Sequence, residues 1–415
     1  MTTRRDFLKR SSTSAALLSL APAVPAFLLN TSLHAAEQAK KGENILVVVQ
    51  LSGGNDGLNT VIPYADDAYH RNRFTLRVGP EQVQKIDDHI GLHPSLSGLA
   101  DLVEANQLSI VQGVGYPNPD RSHFSSMDIW HTAMREVQSM RRMTGWVGRY
   151  LDKYLAREGR EVPALHLGQE RQPLAVVAED VRVPSISSGD SFKLNVGNDR
   201  LLGQMIESSV KADRAAAKEN ELLGFLHTSM SSALVSSQRL QDALKNYKTS
   251  VQYPSTGLAT KMKTIAQLID GGLTTRIYYV TLDGFDTHAT QAPTHAAQLK
   301  EYGDAVAAFM KDMVEHSHDQ RVLVMTFSEF GRRVKENASR GTDHGTSAPM
   351  FLAGAKVKPG LIGKHPSLTD LDSEGDMKHH TDFRQVYAAI LDNWLGADSK
   401  AVLGEAFKPA AVLKG

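Results

Sequence analysis

The sequence predicts an α/β protein, with a mostly parallel sheet and helices on both faces. Three observations predict it. Five short apolar runs carry no alternation of polar and apolar residues, as strands buried on both faces should not. Patterns at helical spacing separate the runs. Short polar loops containing glycine or proline punctuate them, and ligands of parallel sheets bind at such strand ends.

The first run is Asn44-Ile45-Leu46-Val47-Val48-Val49-Gln50-Leu51, ended by Ser52-Gly53-Gly54. A helical pattern covers Ser95 to about Ala105, and Leu108–Gln112 is the second run. The third is Thr275–Val280. A long helix then spans about Ala296 to His316, where Leu299, Tyr302, Val306, Phe309 and Met313 form an apolar stripe. Val322–Thr326 and Met350–Ala353 complete the set. The polar span at about 199–262 is rich in Ala, Ser, Lys and Glu and has no strand-like run. It reads as a helical insertion beside the sheet, either one wall of a cleft or a helical hairpin with no part in the site.

Residues 1–36 stand apart from the fold, and the α/β domain is expected over 43–415. Thr3-Arg4-Arg5-Asp6-Phe7-Leu8-Lys9 has the form of a twin-arginine signal. The apolar stretch after it, interrupted by Pro22 and Pro25, is too short and broken to cross a bilayer. Cleavage is expected after Ala26 or within His34-Ala35-Ala36. The expected partner is the twin-arginine translocase, and the expected location is periplasmic or otherwise exported. No later stretch predicts a stable membrane span.

Composition narrows the chemistry. There are 46 basic and 46 acidic residues, so no global field draws the chain to nucleic acid. With no cysteine, thiol nucleophiles, zinc–thiolate sites, iron–sulfur clusters and disulfides are excluded.

The loops after the runs carry the candidate site. Ser52-Gly53-Gly54-Asn55-Asp56-Gly57 places Asp56 as a hard-cation ligand, or as a turn residue, with Asn55 beside it. Tyr116-Pro117-Asn118-Pro119-Asp120-Arg121-Ser122-His123 leads into a helix expected near Ser122. There Ser122 is a nucleophile or an ordinary N-cap, Arg121 can grip an oxyanion, and His123 can touch substrate. Asp283-Gly284-Phe285-Asp286-Thr287-His288 offers two carboxylates and an imidazole for a divalent ion. His295, seven residues on, reads as a surface residue. Glu329 is a cation ligand or the partner of Arg332 or Arg333, and His344 sits in a Gly/Thr/Ser loop before a strand.

Five motifs in this order resemble the exported domain-of-unknown-function 1501 proteins. They are Leu-Ser-Gly-Gly-Asn-Asp-Gly-Leu-Asn, Tyr-Pro-Asn-Pro-Asp-Arg-Ser-His-Phe, Asp-Gly-Phe-Asp-Thr-His, Phe-Ser-Glu-Phe-Gly-Arg and Thr-Asp-His-Gly-Thr. That group in turn resembles the alkaline phosphatase and sulfatase superfamily, so an alkaline phosphatase-like fold is implied. The resemblance implies metal ligation by Asp56, by Asp283 or Asp286 with His288, by Glu329 and by His344. It implies Ser122 as nucleophile, with Arg121 and Asn55 on the oxyanion. Phe330 stands where the superfamily has a histidine, which argues for one ion or an altered surround rather than a two-ion site. The implied cofactor is a divalent ion: Zn²⁺, Mn²⁺, Mg²⁺ or Ca²⁺. The implied function is an exported metal-dependent hydrolase of a phosphate or sulfate ester, acting on a small anionic ester or a polysaccharide. The alternative is a non-catalytic envelope binding or scaffold protein that keeps the fold.

Overall fold

A computed structural model describes residues 43–135, 143–156, 162–187, 241 and 244–414. The twin-arginine segment and most of the polar span at 199–262 lie outside the described residues. The strands of the main sheet are β1 (Ile45–Leu51), β2 (Leu108–Gly115), β3 (Ala164–Leu167), β4 (Ser185–Ile186), β5 (Ile277–Leu282), β6 (Val322–Phe327), β7 (Ala348–Ala353), β8 (Gly360–Ile362) and β9 (Thr381–Asp382). Their order is β8-β2-β7-β6-β1-β5-β3-β4, with β9 also beside β2. Strand β1 is central and pairs in parallel with β5 and β6. Among the described strands only β7 runs against its neighbours, antiparallel to both β2 and β6. The expected mostly parallel sheet is therefore what the chain forms.

The apolar runs are unbroken because both sheet faces are covered. Val47, Val49 and Leu51 of β1 pack into one core, together with Leu299, Tyr302, Val306, Phe309 and Met313. These five stripe residues lie on a helix at Gln291–Glu315. Leu46 and Val48 point the other way, into a core built on Trp130, Trp146 and Tyr387. Helices α1 (Ser97–Glu104), α3 (Gly257–Asp270) and α4 (Gln291–Glu315) cover the first face. Helices α2 (His123–Thr132) and α5 (Phe383–Ile390) cover the second. Where the polar span re-enters the described residues, residues 247–253 are strapped to α4. Tyr247, Thr249 and Tyr253 donate hydroxyl hydrogen bonds of 2.6, 2.6 and 2.7 Å to buried Asp312. Among the described residues, no helix is long and apolar enough to cross a membrane.

Strand direction fixes where the loops meet. The C-terminal ends of the parallel β1, β2, β5 and β6 open on one edge of the sheet. Because β7 runs the other way, the loop that precedes it opens on that same edge. All five motif loops are thereby brought together. Helix α2 is seated by Trp130, whose ring stacks on Phe383 at 4.2 Å and on Phe327 at 5.1 Å. One turn in from its start, Ser126 donates 2.6 Å to the carbonyl of Glu329. These contacts aim the first turn of α2, and so His123, at the loop after β6.

Candidate metal centre

Three imidazoles and one carboxylate converge at this edge. Asp286 Oδ1 lies 3.0 Å from His288 Nε2, 3.2 Å from His344 Nε2 and 3.4 Å from His123 Nε2. The Nε2 atoms of His288 and His344 are themselves 3.0 Å apart. In a tetrahedral zinc site with bonds of 2.0–2.1 Å, neighbouring ligand atoms are separated by about 3.3–3.4 Å. The observed spacings are close to that. Ligand atoms of His123, Asp286 and His344 all lie within 4.8 Å of one another.

The other nitrogen of each ring is already committed. His123 Nδ1 donates 2.8 Å to Glu329 Oε1, His288 Nδ1 donates 3.1 Å to Asp343 Oδ1, and His344 Nδ1 donates 2.8 Å to the carbonyl of Arg121. Each acceptor is an oxygen, which places a hydrogen on Nδ1 and leaves Nε2 of each ring to present a lone pair to an ion. This is how metal-ligating histidines are oriented. His123 Nε2 is buried and has no hydrogen-bond partner. Lone pairs that face a carboxylate with no proton between them fit a cation. The donor set therefore suits a divalent ion that accepts nitrogen and oxygen ligands, Zn²⁺ or Mn²⁺ more than Mg²⁺.

Electrostatics agree. Burial raises the Asp286 carboxyl, but the Arg332 guanidinium bonded to it outweighs that, with the adjoining imidazoles, and holds the pKa at about 2. The hydrogen bond that His123 donates to Glu329 raises the pKa of His123, while burial lowers that of His344. Glu329 itself is 1% exposed. It accepts from the Gly53 amide at 2.9 Å and from Ser328 at 3.0 Å. Gly53 has φ of +115°, and a Cβ there would stand 2.5 Å from the Asp286 nitrogen. Only glycine lets the β1 loop approach the β5 loop this closely.

The structure sorts the sequence candidates. Asp286, His288 and His344 come together as expected. His123, expected to touch substrate, joins them. Glu329 orients His123 rather than facing the shared point, and it pairs with neither Arg332 nor Arg333. Asp283 is exposed on the cleft wall, outside the cluster. Asp56 stays away from the cluster. It is fully buried and grips Arg73 with both oxygens, one at 2.9 Å, and also accepts from Gln291. Asn55 turns inward instead of toward substrate, its Oδ1 bonded to Thr60 at 2.9 Å and His295 at 3.0 Å. His295 is not a surface residue but is 1% exposed, and burial lowers its pKa to about 3. Ser122 is the N-cap of α2, exposed, and its hydroxyl caps no helix amide. Arg121 is tied to Asp376 through Nε at 2.8 Å and through Nη2. Phe330 ligates nothing; its ring packs 4.9 Å from His123 and 4.8 Å from His344.

An open cleft of about 1020 Å³ reaches the cluster through His123, Asp286 and Glu329. Asp128, Asp283 and exposed Phe124 also line it; Ser122 and Arg121 do not. Gln50 lies on its wall. The Gln50 Oε1 accepts from Tyr279 at 2.5 Å and from His131 at 2.8 Å. Sequence reasoning passed over Gln50, although it is the one polar residue within β1. It also passed over Arg73 and over Arg332 as a neighbour of Asp286.

A family model described as "Protein of unknown function (DUF1501)" matches residues 43–406. The chain belongs to the DUF1501 family. A comparison with curated proteins gave no match. Among solved structures, this DUF1501 protein is similar to the PsFucS1 sulfatase from Pseudoalteromonas sp., at 10% identity and a TM-score of 0.41, over 97% of this chain and 77% of the sulfatase. It is similar to a protein in the alkaline phosphatase superfamily from Vibrio parahaemolyticus, at 9% identity and a TM-score of 0.37, over 93% and 72% of the two chains. It is also similar to the C-terminal periplasmic domain of EcEptC from Escherichia coli in complex with Zn, at 10% identity and a TM-score of 0.34, over 76% and 75%. At these scores the likeness says nothing of substrate or chemistry. For this DUF1501 protein, both have to be argued from the site.

Proposed function

We propose that this protein is an exported metal-dependent hydrolase of a phosphate or sulfate ester. One observation carries the proposal: three imidazoles turn bare Nε2 atoms toward Asp286 while oxygen acceptors hold their Nδ1 hydrogens. His123, Asp286 and His344 would hold the ion, with His288 beside them. When bound, such an ion polarises an ester oxygen and neutralises charge that develops on it. The chain's own residues do the rest. Glu329, itself held by the Gly53 amide, orients His123, which touches both the cluster and the cleft. Phe330 packs against the rings of His123 and His344. Ser122 lies off the cleft lining, so water rather than a serine hydroxyl attacks the ester. The twin-arginine start supports folding before export, which suits a site assembled from five loops.

The test is elemental analysis of the purified mature protein, with turnover assays on phosphate monoesters, phosphate diesters and aryl sulfates. Expected are a bound divalent ion, turnover abolished by a chelator and by His344→Ala, and turnover kept in Ser122→Ala. No ion after incubation with Zn²⁺ or Mn²⁺, together with no turnover, would refute the proposal. A second reading, an envelope protein that binds ion and ligand without turnover, draws on one observation. Arg121, the side chain best suited to grip an oxyanion, is held by Asp376. Ion binding and ligand binding with no hydrolysis would establish that reading instead.

A further inference from the structure

Arg332 is buried to 1% exposure, and each guanidinium nitrogen faces oxygen. Nε donates 2.7 Å to the carbonyl of Gly54 and Nη1 donates 2.8 Å to that of Thr342. Nη2 donates to the carbonyl of Gly53, to that of Phe285 at 3.0 Å and to Asp286 Oδ1 at 2.7 Å. Four carbonyl oxygens and one carboxylate oxygen, drawn from three loops, thus surround one positive group. An oxygen cage of this kind is what a hard divalent cation takes. The cage shares Asp286 with the imidazole cluster.

We propose that Arg332 is a built-in cation, and that the site therefore holds one exchangeable ion per chain. The guanidinium fills a second cation position on Asp286 Oδ1. The guanidinium is a planar, delocalised cation. Its fork satisfies several carbonyls at once, which a lysine ammonium does not reproduce. Arg332 therefore acts as a positioning residue. It holds the loops after β1 and β5, and the loop before β7, in register, and it keeps Asp286 aimed at the imidazoles before any ion arrives. The nearby Asp56 is matched by a second guanidinium, that of Arg73, with both side chains 0% exposed. Both Asp56 oxygens are thereby taken, and Asp56 is not left to recruit a further ion. The ion count rests on the metal reading proposed above; the cation role of Arg332 does not.

Equilibrium dialysis of the full mature chain against Zn²⁺, and separately Mn²⁺, followed by elemental analysis, tests the count. One ion per chain is expected in the wild type and none in the His123→Ala, His344→Ala double variant. Two exchangeable ions in the wild type would overturn the proposal, whether or not any variant folds. Arg332→Ala tests the cage. It should melt below the wild type and regain part of the loss with low-millimolar guanidinium or Ca²⁺, additions that leave the wild type unchanged. Arg332→Lys should regain less than guanidinium-treated Arg332→Ala. A folded Arg332→Ala that responds to neither cation would also overturn the proposal. A wild type that binds no ion, with cation rescue of Arg332→Ala intact, would remove the metal reading and leave Arg332 as the built-in cation.

Discussion

Asp56→Asn separates a metal ligand from a structural carboxylate. Asp56 and Arg73 are both fully buried, and the pair spans the loop after β1 and the end of the short helix at Asp67–Asn72. Asparagine keeps the shape of the side chain and removes its charge. The variant leaves a guanidinium buried with only the carbonyls of Val334 and Arg333 and the side chain of Asn59 as partners. Breaking a buried pair from one side costs about 3–5 kcal/mol. Urea denaturation should therefore show a loss of that order, and the Asp56→Leu, Arg73→Met double variant should recover most of it. Acid sharpens the test. Burial raises the Asp56 carboxyl, but Arg73 outweighs it, and the pKa falls from 3.8 to about 2. At about 1.4 kcal/mol per unit, this is worth about 2–3 kcal/mol. Because the folded value is depressed, that stability is fully present above about pH 4 and is lost as pH falls through about 2. Wild-type stability should therefore drop between pH 5 and pH 2 by about that much more than stability of the variant. Ions bound per folded chain should stay at the wild-type value. If Asp56→Asn keeps wild-type stability but loses the ion, Asp56 is a ligand and the assignment to Asp286, His123 and His344 is wrong.

Three further outcomes follow from the same geometry, and a fourth from the N-terminal sequence. Glu329→Gln and Asp343→Asn weaken the acceptors of His123 and His288, and each should lower Zn²⁺ affinity about 10–100-fold in calorimetric titration. Gly53→Ala drives a Cβ to 2.5 Å from the Asp286 nitrogen at a backbone angle that side chains avoid. It should cost at least ~1–3 kcal/mol in denaturation and weaken ion binding. Asp312→Ala orphans the hydroxyls of Tyr247, Thr249 and Tyr253, should destabilise by about 3 kcal/mol, and should open residues 247–253 to limited proteolysis. Replacing Arg4 and Arg5 by lysine should leave the full-length chain inside the cell in fractionation, with its folded stability unchanged.

The sheet was legible in the sequence because its strands are buried on both faces, so five apolar runs stood out without any help from alternation. Four of the loops that follow or precede them were legible as site loops because they combine glycine with Asp, Glu or His. The contacts inside the site were less legible, for three separate reasons. Arg121 and Ser122 lead into α2, which begins at His123, and which of the three faces the cluster depends on the extended backbone at the N-cap, which residue types alone do not fix. His123 wins that placement. The charge of Asp56 gives no sign of its partner, because Arg73 lies in a different element 17 residues away. Proximity in sequence likewise favoured a Glu329–Arg332 pair, yet the two side chains go to different loops, Glu329 to His123 and Arg332 to Asp286.

Strand direction explains why the cluster can form at all. His344 precedes its strand whereas Asp286 follows one, and in an all-parallel sheet those positions would sit on opposite edges. Their Nε2 and Oδ1 atoms are 3.2 Å apart because β7 alone is reversed. Turning one strand adds a loop to the functional edge without adding another strand end. It places that loop beside β6, whose own C-terminal loop carries Glu329 and Arg332. The reversed strand is thus the topological condition for a cluster that draws one histidine from a helix start, one carboxylate and one histidine from a strand exit, and one histidine from a strand entrance.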